Sequence, residues 1–361
     1  DEEMAERIRA HKARWGRELV ILGHHYQQDD VIQFADFTGD SLKLSQLAAG
    51  QDAARYVIFC GVHFMAESAD ILCNTGRSGE EVTVILPDLS AGCSMADMAA
   101  IEQLEDAWDH LTSVTDATII PITYVNSSAA VKAFVGRHGG ACCTSSNARM
   151  VLEWALTQGD KIIFLPDQHL GRNTAYALGY PLDAMVVYDP HLPAGGLSDE
   201  QVEASRFFLW KGHCSVHGLF TEKQVDAIRA SDPECKVLVH PECRWEVVQK
   251  ADLAGSTEYI IKTIDSAPEG SRWAVGTEMH LVNRLAKKYA GVKHIRSLAG
   301  MQCLCTTMYR IDMKHLLWCL DELAQGRVVN HIRVDDQTRH WAVVALQRML
   351  DNVSPQPVAV R

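Results

Sequence analysis

Short apolar runs rich in β-branched residues recur along the chain, and longer helical stretches separate them. The first three runs are Leu19–Leu22, Tyr56–Phe59 and Val82–Leu86. Residues of this type favour strands, and strands that alternate with helices assemble into parallel sheets. The pattern therefore predicts a parallel α/β unit in the first part of the chain.

The same set of three apolar runs occurs twice more. The later runs are Thr118–Tyr124, Ala141–Thr144 and Lys161–Leu165, and then Lys236–Val239, Glu258–Lys262 and Arg272–Val275. A supersecondary pattern that repeats along a chain indicates repeated structural units. We therefore predict three similar parallel α/β units.

A cysteine stands directly before a serine or threonine at three widely separated positions, Cys93, Cys214 and Cys305. A hydroxyl side chain there can cap the start of a helix, and the positive end of a helix stabilises a thiolate. One of these cysteines follows each set of apolar runs. Three such thiolates are a suitable ligand set for an iron-sulfur cluster or a metal ion.

Two helices are predicted directly after these cysteines. Ser94 and Asp97 match a capping box, which predicts a helix that continues through Leu104. Apolar residues at helical spacing predict a second helix over Met308–Leu323, just after Cys305.

The predicted units, in chain order, are residues 16–112, 113–232 and 233–327, followed by a C-terminal segment, 328–361. The first two cysteines are farther apart than the last two, which predicts an insertion in the second unit at about residues 170–205. A polar helix over residues 2–15 precedes the first unit, and the C-terminal segment adds one short strand and a helix.

Composition indicates the compartment and the class of partner. The 11 cysteines are odd in number and lack the close spacing of a small secreted scaffold, which indicates reduced thiols in a reducing compartment, some of them ligands. The first fifteen residues are charged rather than signal-like, so we expect the chain in the cytoplasm. No apolar run is long enough to predict a membrane span. The net charge of -12 argues against nucleic acid as a partner and favours small molecules.

Polar side chains follow directly after many of the apolar runs. They include His24, Tyr26, His63, Tyr124, Asn126, Ser145, His240, Glu242 and Glu278. Parallel α/β sheets bind their ligands at the carboxyl ends of the strands. We therefore predict that these side chains contribute to one shared site.

Seven short motifs together resemble those of the quinolinate synthases. They are Gly23-His-His-Tyr-Gln27, Gly39-Asp-Ser-Leu42, Phe59-Cys-Gly-Val-His-Phe-Met-Ala-Glu67, Ala91-Gly-Cys-Ser-Met-Ala-Asp-Met98, Tyr124-Val-Asn-Ser-Ser128, Cys143-Thr-Ser-Ser-Asn147 and His240-Pro-Glu-Cys243. The resemblance covers about residues 19 to 325. The combination is specific, although no single motif is.

The resemblance implies a cytoplasmic enzyme of NAD biosynthesis that condenses iminoaspartate with dihydroxyacetone phosphate to give quinolinate, phosphate and water. It implies three similar α/β units around a pseudo-threefold axis, with a 4Fe-4S cluster at the centre. The long second interval resembles the longer variants of the family. L-aspartate oxidase would supply the iminoaspartate.

The resemblance also implies a set of site residues. The cluster ligands would be Cys93, Cys214 and Cys305. Substrate contacts would fall on His24, Ser41, Tyr124, Asn126, Ser145, His217, His240, Glu242 and Thr257. Tyr26 would also line the site, and the catalytic residues would be Tyr26, His240 and Glu242, with Tyr26 and Glu242 as the acid and base groups.

The third ligand departs from the family pattern, in which a proline usually follows the cysteine. Here Thr306 follows Cys305, and Cys303 lies close by. We predict Cys305 as the ligand because it directly precedes hydroxyl residues that can cap the next helix, whereas Cys303 precedes Leu304.

Two other functions fit part of the pattern. A zinc- or iron-dependent hydrolase could use His240 and Glu242 as metal ligands. A non-catalytic iron-sulfur redox sensor could use the three cysteines, but it would not need the Tyr, Asn, Ser and Glu side chains at the strand ends.

Overall fold

Parallel strands form three separate sheets in the computed structural model, which describes residues 2–77, 79–300 and 303–351. The first sheet contains β1 (Leu19–His24), β2 (Phe37–Gly39), β3 (Tyr56–Cys60) and β4 (Thr83–Ile85). The second contains β5 (Ile119–Tyr124), β6 (Ala141–Cys143), β7 (Lys161–Leu165), β8 (Met185–Tyr188) and β9 (Phe207–Trp210). The third contains β10 (Lys236–Val239), β11 (Leu253–Ala254), β12 (Arg272–Gly276) and β13 (His294–Ser297).

The three sheets share one strand order. It is β2-β1-β3-β4 in the first sheet, β6-β5-β7-β9 in the second and β11-β10-β12-β13 in the third, with every pair parallel. The first sheet gains β14 (His331–Ile332), antiparallel to β4, and the second gains β8 beside β9. The predicted α/β class with parallel sheets is therefore confirmed.

The inner strands are apolar because both of their faces are covered. Every residue of β1, β5 and β7 is buried. Strands of a parallel sheet that are buried on both faces have nearly continuous apolar sequences. Most of the polar residues near these strands therefore lie where the strands end.

The helices connect the strands in chain order. They are α1 (Glu2–Trp15), α2 (Asp29–Ile32), α3 (Ser41–Ala49), α4 (His63–Asn74), α5 (Ser94–Asp97), α6 (Ile101–Val114), α7 (Ala129–Arg137), α8 (Ala148–Gln158), α9 (Gln168–Ala177), α10 (Asp199–Ala204), α11 (Glu222–Ser231), α12 (Trp245–Lys250), α13 (Thr257–Ser266), α14 (Met279–Lys288), α15 (Met313–Ala324) and α16 (Asp336–Asp351). Among these helices, none is both long enough and apolar enough to span a bilayer.

Residue packing divides the chain into two compact units. One unit takes in residues 2–93 and 304–340, and it contains the first sheet. The other takes in residues 94–303 and 341–351, and it contains the second and third sheets. The boundaries given above for three repeated units, including the insertion at 170–205, remain a prediction.

The predicted strand Glu258–Lys262 is wrong, because these residues belong to α13. The Oγ atom of Ser256 accepts a hydrogen bond from the backbone N–H of Tyr259 and caps the helix. Ile260 and Ile264 lie one turn apart and are both buried. The strand in this part of the third sheet is β11, which precedes the helix.

The helix predicted from Ser94 through Leu104 is also wrong. Helix α5 ends at Asp97 after one turn, and α6 begins only at Ile101. Ala100 is extended between them, with φ -69° and ψ 145°. A single turn aligns few peptide dipoles, so the helix stabilises a thiolate at Cys93 less than predicted.

The other two cysteines likewise precede short turns. Turns of 3-10 helix follow them at His217–Leu219 and Met308–Arg310. The helix predicted over Met308–Leu323 starts instead at Met313, because Asp312 caps it by accepting the backbone N–H of His315.

Candidate active site

The three sheets carry predicted site residues at matching places. At the end of β1, β5 and β10 stand two residues spaced two apart, which are His24 and Tyr26, Tyr124 and Asn126, and His240 and Glu242. After β2, β6 and β11 comes a hydroxyl residue, which is Ser41, Ser145 or Thr257. After β4, β9 and β13 comes Cys93, Cys214 or Cys305. Three predicted site residues lie outside this repeat, His63 and Glu278, which follow β3 and β12, and His217.

Strand register explains why the first two members of each repeat lie at one edge of their sheet. His24 pairs with Gly39, so β1 and β2 end at the same level. Tyr124 pairs with Cys143 in the second sheet. The carboxyl ends of neighbouring parallel strands form the crevice in which such sheets bind ligands.

At the end of β1, the backbone of Tyr26 holds the ring of His24 in one orientation. The N–H of Tyr26 donates to Nδ1 of His24 over 3.1 Å, and the two rings meet edge to face with centroids 4.9 Å apart. A ring nitrogen that accepts a hydrogen bond carries no proton, so the neutral ring is protonated at Nε2. His24 therefore presents an N–H donor at the end of its strand.

The third sheet repeats this arrangement. The backbone N–H of Glu242 donates to Nδ1 of His240 over 3.3 Å. Burial lowers the pKa of His240 to about 3, so this ring is neutral near neutral pH. His240, like His24, therefore keeps its proton on Nε2 and can donate it to an acceptor.

His217 and Glu242 form the centre of a buried network in the compact unit that contains the second and third sheets. Nδ1 of His217 lies 2.8 Å from Oε2 of Glu242, and Nε2 of His217 lies 3.1 Å from Oγ1 of Thr277. The ring of His217 stacks on that of His240, with centroids 4.4 Å apart and planes 20° from parallel. The structure thus brings together four of the predicted residues, since Tyr124 also hydrogen bonds to Glu242.

The surroundings of Glu242 keep its carboxyl ionised. Burial raises the pKa of Glu242, but the imidazoles of His240 and His217 and the hydrogen bonds from His217 and Tyr124 outweigh this effect, and the pKa is about 2. A carboxylate accepts hydrogen bonds only, so Nδ1 of His217 carries the proton that they share.

Asp167 is a buried residue for which the sequence predicted no role. Its Oδ1 atom accepts the backbone N–H groups of His169 and Leu170 at 2.7 and 2.8 Å and so caps α9. Its Oδ2 atom accepts the N–H of Cys214 at 3.2 Å. Burial and the charge of Glu242 raise the pKa of Asp167. One carboxyl group therefore connects a helix start with a predicted cluster ligand.

Ser145 lies apart from the Glu242 network. It lines a cavity of about 510 Å³ with Asn173, Thr174, Pro241 and Gly255. Within the part of the chain that the structure describes, no hydrogen bond joins the side chain of Ser145 or of Asn126 to Glu242 or His217. Ser41 and Thr257 are buried at the first positions of α3 and α13.

Exposure separates the predicted ligands from the other cysteines. Cys93, Cys214 and Cys305 are half-buried, and the remaining eight are buried. Burial raises the pKa of Cys73, Cys142 and Cys319 to about 12, which keeps these thiols protonated. Thiolates are the ligands of iron and zinc, so the three half-buried cysteines are the ones suited to ligation.

A sequence signal existed for two residues that contact the predicted site but were not predicted. Asp167 and Thr277 both follow an apolar run, as the predicted site residues do. Nothing in the sequence indicated that Asp167 contacts Cys214, 47 positions away, or that Thr277 contacts His217, 60 positions away.

Known proteins resemble this chain along almost its whole length. A family profile described as quinolinate synthetase A protein matches residues 6–351. The chain is 58% identical over 354 residues to a quinolinate synthase of Acidobacterium capsulatum, which covers 97% of this chain and 93% of the relative. It is 57% identical over 349 residues to that of Halalkalibacterium halodurans, with the same coverage. It is 54% identical over 357 residues to that of Rhodopirellula baltica, covering 97% of this chain and 91% of the relative. The chain therefore belongs to the quinolinate synthetase A family.

Proposed function

We infer that this chain is a quinolinate synthase, an enzyme of NAD biosynthesis that condenses iminoaspartate with dihydroxyacetone phosphate to give quinolinate, phosphate and water. The observation that carries this conclusion is the repeat of residue types at the strand ends of the three sheets. It provides hydrogen-bond donors, acid and base groups and thiols, which the condensation of two anionic substrates needs. Family membership supports the same activity.

We propose that Cys93, Cys214 and Cys305 hold a 4Fe-4S cluster. The donor set fits this group, because these are the three cysteines that burial leaves accessible. A cluster with three thiolate ligands supplies one iron with an open coordination position, which acts as a Lewis acid toward a substrate oxygen. The pseudo-threefold arrangement of the three α/β units around this cluster is part of the same proposal.

Glu242 and His217 act in this proposal as a proton-transfer pair. A carboxylate with a pKa of about 2 is a weak base when it acts alone. The carboxylate can nevertheless take a proton from a substrate carbon on its other oxygen, Oε1, while Oε2 keeps the hydrogen bond that Nδ1–H of His217 donates over 2.8 Å. Tyr26 supplies a second acid or base group through its phenol.

The remaining predicted residues bind and orient the substrates. The Nε2–H groups of His24 and His240 donate to carboxylate or phosphate oxygens, because their Nδ1 atoms are occupied by backbone N–H groups. The hydroxyl groups of Ser41, Ser145 and Thr257 and the Asn126 amide complete the donors. The Tyr124 hydroxyl donates its proton to Glu242 and can accept a hydrogen bond from a substrate. We retain as proposals that the reaction takes place in the cytoplasm and that L-aspartate oxidase supplies iminoaspartate.

The alternative of a metal-dependent hydrolase finds no support in the comparisons. The direct test is anaerobic purification, measurement of iron and sulfide, and an assay of quinolinate from iminoaspartate and dihydroxyacetone phosphate. We expect a brown protein with about four irons per chain that forms quinolinate. A reconstituted protein with full iron content that forms no quinolinate would overturn the proposed activity, and a colourless protein would overturn the cluster.

A further inference from the structure

Cys214, His217 and Glu242 bring a thiol, an imidazole and a carboxylate together. Their ligand atoms all lie within 4.8 Å of one another. We propose that the cluster-free protein binds one zinc ion through these three side chains. The proposal rests on this geometry alone and does not depend on the activity inferred above.

The local chain geometry prepares two of the ligands. Cys214 and His217 are three residues apart on one turn, in which the N–H of Gly218 donates to the carbonyl oxygen of Cys214 over 2.9 Å. Side chains three apart on a helical turn lie on the same side. Glu242 approaches from the end of β10 and already contacts His217. The set therefore combines a local pair with one distant ligand.

The distances suit a single ion. Zinc binds sulfur, nitrogen and oxygen at about 2.0–2.3 Å, so its ligand atoms are separated by roughly 3–4 Å. Small rotations of side chains that are now within 4.8 Å are sufficient to reach this spacing. Three protein ligands and one open position are the usual arrangement of a zinc site that is not purely structural.

The charges and the ligand types favour zinc over other divalent ions. A thiolate and a carboxylate carry two negative charges, which cancel the charge of one divalent cation. His217 and Glu242 are 2% and 3% exposed, so a neutral assembly avoids the cost of an uncompensated buried charge. Magnesium and calcium prefer oxygen ligands only, whereas zinc accepts thiolate and imidazole.

A second layer of hydrogen bonds is present around the three ligands. Nε2 of His217 lies 3.1 Å from Oγ1 of Thr277, and Tyr124 hydrogen bonds to Glu242. When Nδ1 of a histidine binds a metal, the proton resides on Nε2 and is usually donated to a protein oxygen. The Thr277 hydroxyl is in position to accept that proton and to hold the ring.

Zinc binding at these residues has a consequence for the enzyme. The Cys214 thiolate cannot serve the zinc ion and an iron-sulfur cluster at the same time. The metal would also separate His217 from Glu242 and end their shared hydrogen bond. Zinc that is present before cluster assembly should therefore block it.

Cobalt(II) is the probe of choice because it replaces zinc in such sites and its thiolate complexes absorb in the near ultraviolet. The experiment uses the full chain, freed of cluster and kept anaerobic. We expect one equivalent of cobalt to give a thiolate charge-transfer band, and zinc to abolish that band. The cluster-loaded protein should give none, and a cluster-free protein without a band would overturn the proposal.

Variants identify the ligands. Cys214→Ser, His217→Gln and Glu242→Gln should each lose the band or weaken cobalt binding, while the matched controls Cys93→Ser and Cys305→Ser keep it. Loss of the band in either control would assign the ion to the three cysteines and overturn the proposal. Unchanged cobalt affinity in both His217→Gln and Glu242→Gln would overturn it as well.

Thr277 gives a test that does not remove a ligand. Thr277→Val has nearly the same shape but lacks the hydroxyl, so cobalt affinity should fall by about 10- to 100-fold. Thr277→Ser should restore it, and equal affinity in the two variants contradicts the proposed second layer. Circular dichroism of each variant shows whether it is folded. Quinolinate formation by the cluster-loaded protein is measured separately, so failure of the zinc site leaves the enzymatic proposal intact.

Discussion

Nδ1 of His217 lies 2.8 Å from Oε2 of Glu242, and both side chains are almost completely buried. The two residues follow strands of different sheets, β9 and β10. A buried carboxylate is stable when hydrogen bonds compensate its lost hydration, and here His217 and Tyr124 provide them. The two side chains therefore share one proton across a buried hydrogen bond.

The first prediction concerns the carboxylate of this pair. Glu242→Gln keeps the shape of the side chain and removes the proton acceptor, so quinolinate formation should fall by about 100- to 10,000-fold. The visible spectrum of the cluster should be unchanged. Glu246→Gln alters an exposed carboxylate in the helix that follows and should keep full activity. Nearly full activity in Glu242→Gln would remove this residue from the mechanism.

The second prediction concerns Asp167, whose two oxygens have different tasks. In Asp167→Asn, Oδ1 can still accept the two N–H groups of α9, but the amide nitrogen then faces the N–H of Cys214. Two facing donors leave a buried group without a partner, which costs about 1–3 kcal/mol of unfolding free energy. We expect urea unfolding to shift accordingly and the iron content of the purified protein to fall.

Asp335→Asn is the matched control for this change. Oδ1 of Asp335 also accepts two backbone N–H groups at a helix start, those of Gln337 and Thr338, but the residue is exposed. Asp335→Asn should change the free energy of unfolding little and should keep the iron content of the unmodified protein. Equal iron content in both variants would show that Asp167 serves only as a helix cap.

Much of the strand pattern was predictable, because strands covered on both faces must be apolar. Seven predicted runs coincide with inner strands of the three sheets, β1, β3, β4, β5, β7, β10 and β12, and one coincides with the edge strand β6. The strands that were not predicted include β2 and β13 at sheet edges. Their sequences, Phe37-Thr-Gly39 and His294-Ile-Arg-Ser297, carry little apolar signal. Short edge strands depend on pairing with a neighbour, which local sequence does not indicate.

The candidate site was predictable in its residue types but not in its contacts. Strand ends in a parallel sheet lie at one edge, and that rule was sufficient to predict His24, Tyr124 and His240. Hydrogen-bond partners depend instead on how chain segments distant in sequence approach each other. The pairing of His217 with Glu242, 25 positions away, is of this second kind.

The third prediction concerns stability in acid. Burial lowers the pKa of His240 to about 3, although Glu242 raises it, and His217 lowers it further. An unfolded histidine has a pKa of about 6.5, so between these values the unfolded chain binds a proton that the folded chain does not. The contribution of His240 to stability is therefore complete above about pH 6.5 and is lost as the pH falls toward 3.

Urea unfolding of the cluster-free chain at about pH 7, 6 and 5 measures this effect. A histidine whose pKa is lowered by folding reduces the free energy of unfolding by about 1.4 kcal/mol for each unit that the pH falls between its unfolded and folded pKa values. His240→Gln should flatten the pH dependence by about that slope, while His191→Gln, at an exposed position, should not. The same slope in both variants would show that folding does not lower the pKa of His240.

The last prediction distinguishes Cys305 from its neighbour Cys303. Cys303 is completely buried, and burial raises the pKa of its thiol, whereas Cys305 is half-buried. The carbonyl oxygen of Cys303 accepts the N–H of Met279, so its backbone is tied to the start of α14. Cys305 instead begins a turn in which the N–H of Tyr309 donates to its carbonyl oxygen over 3.0 Å. Cys214 begins the same kind of turn.

We therefore expect Cys305→Ala to lose both iron and activity, and Cys303→Ala to keep both. Cys143→Ala is a second control, since Cys143 also precedes a threonine but is fully buried at the end of β6. Iron and sulfide are measured after anaerobic reconstitution of each variant, because a thiol needed only for packing would lower stability without removing iron. If Cys305→Ala keeps its iron and Cys303→Ala loses it, the third ligand is Cys303 and not Cys305.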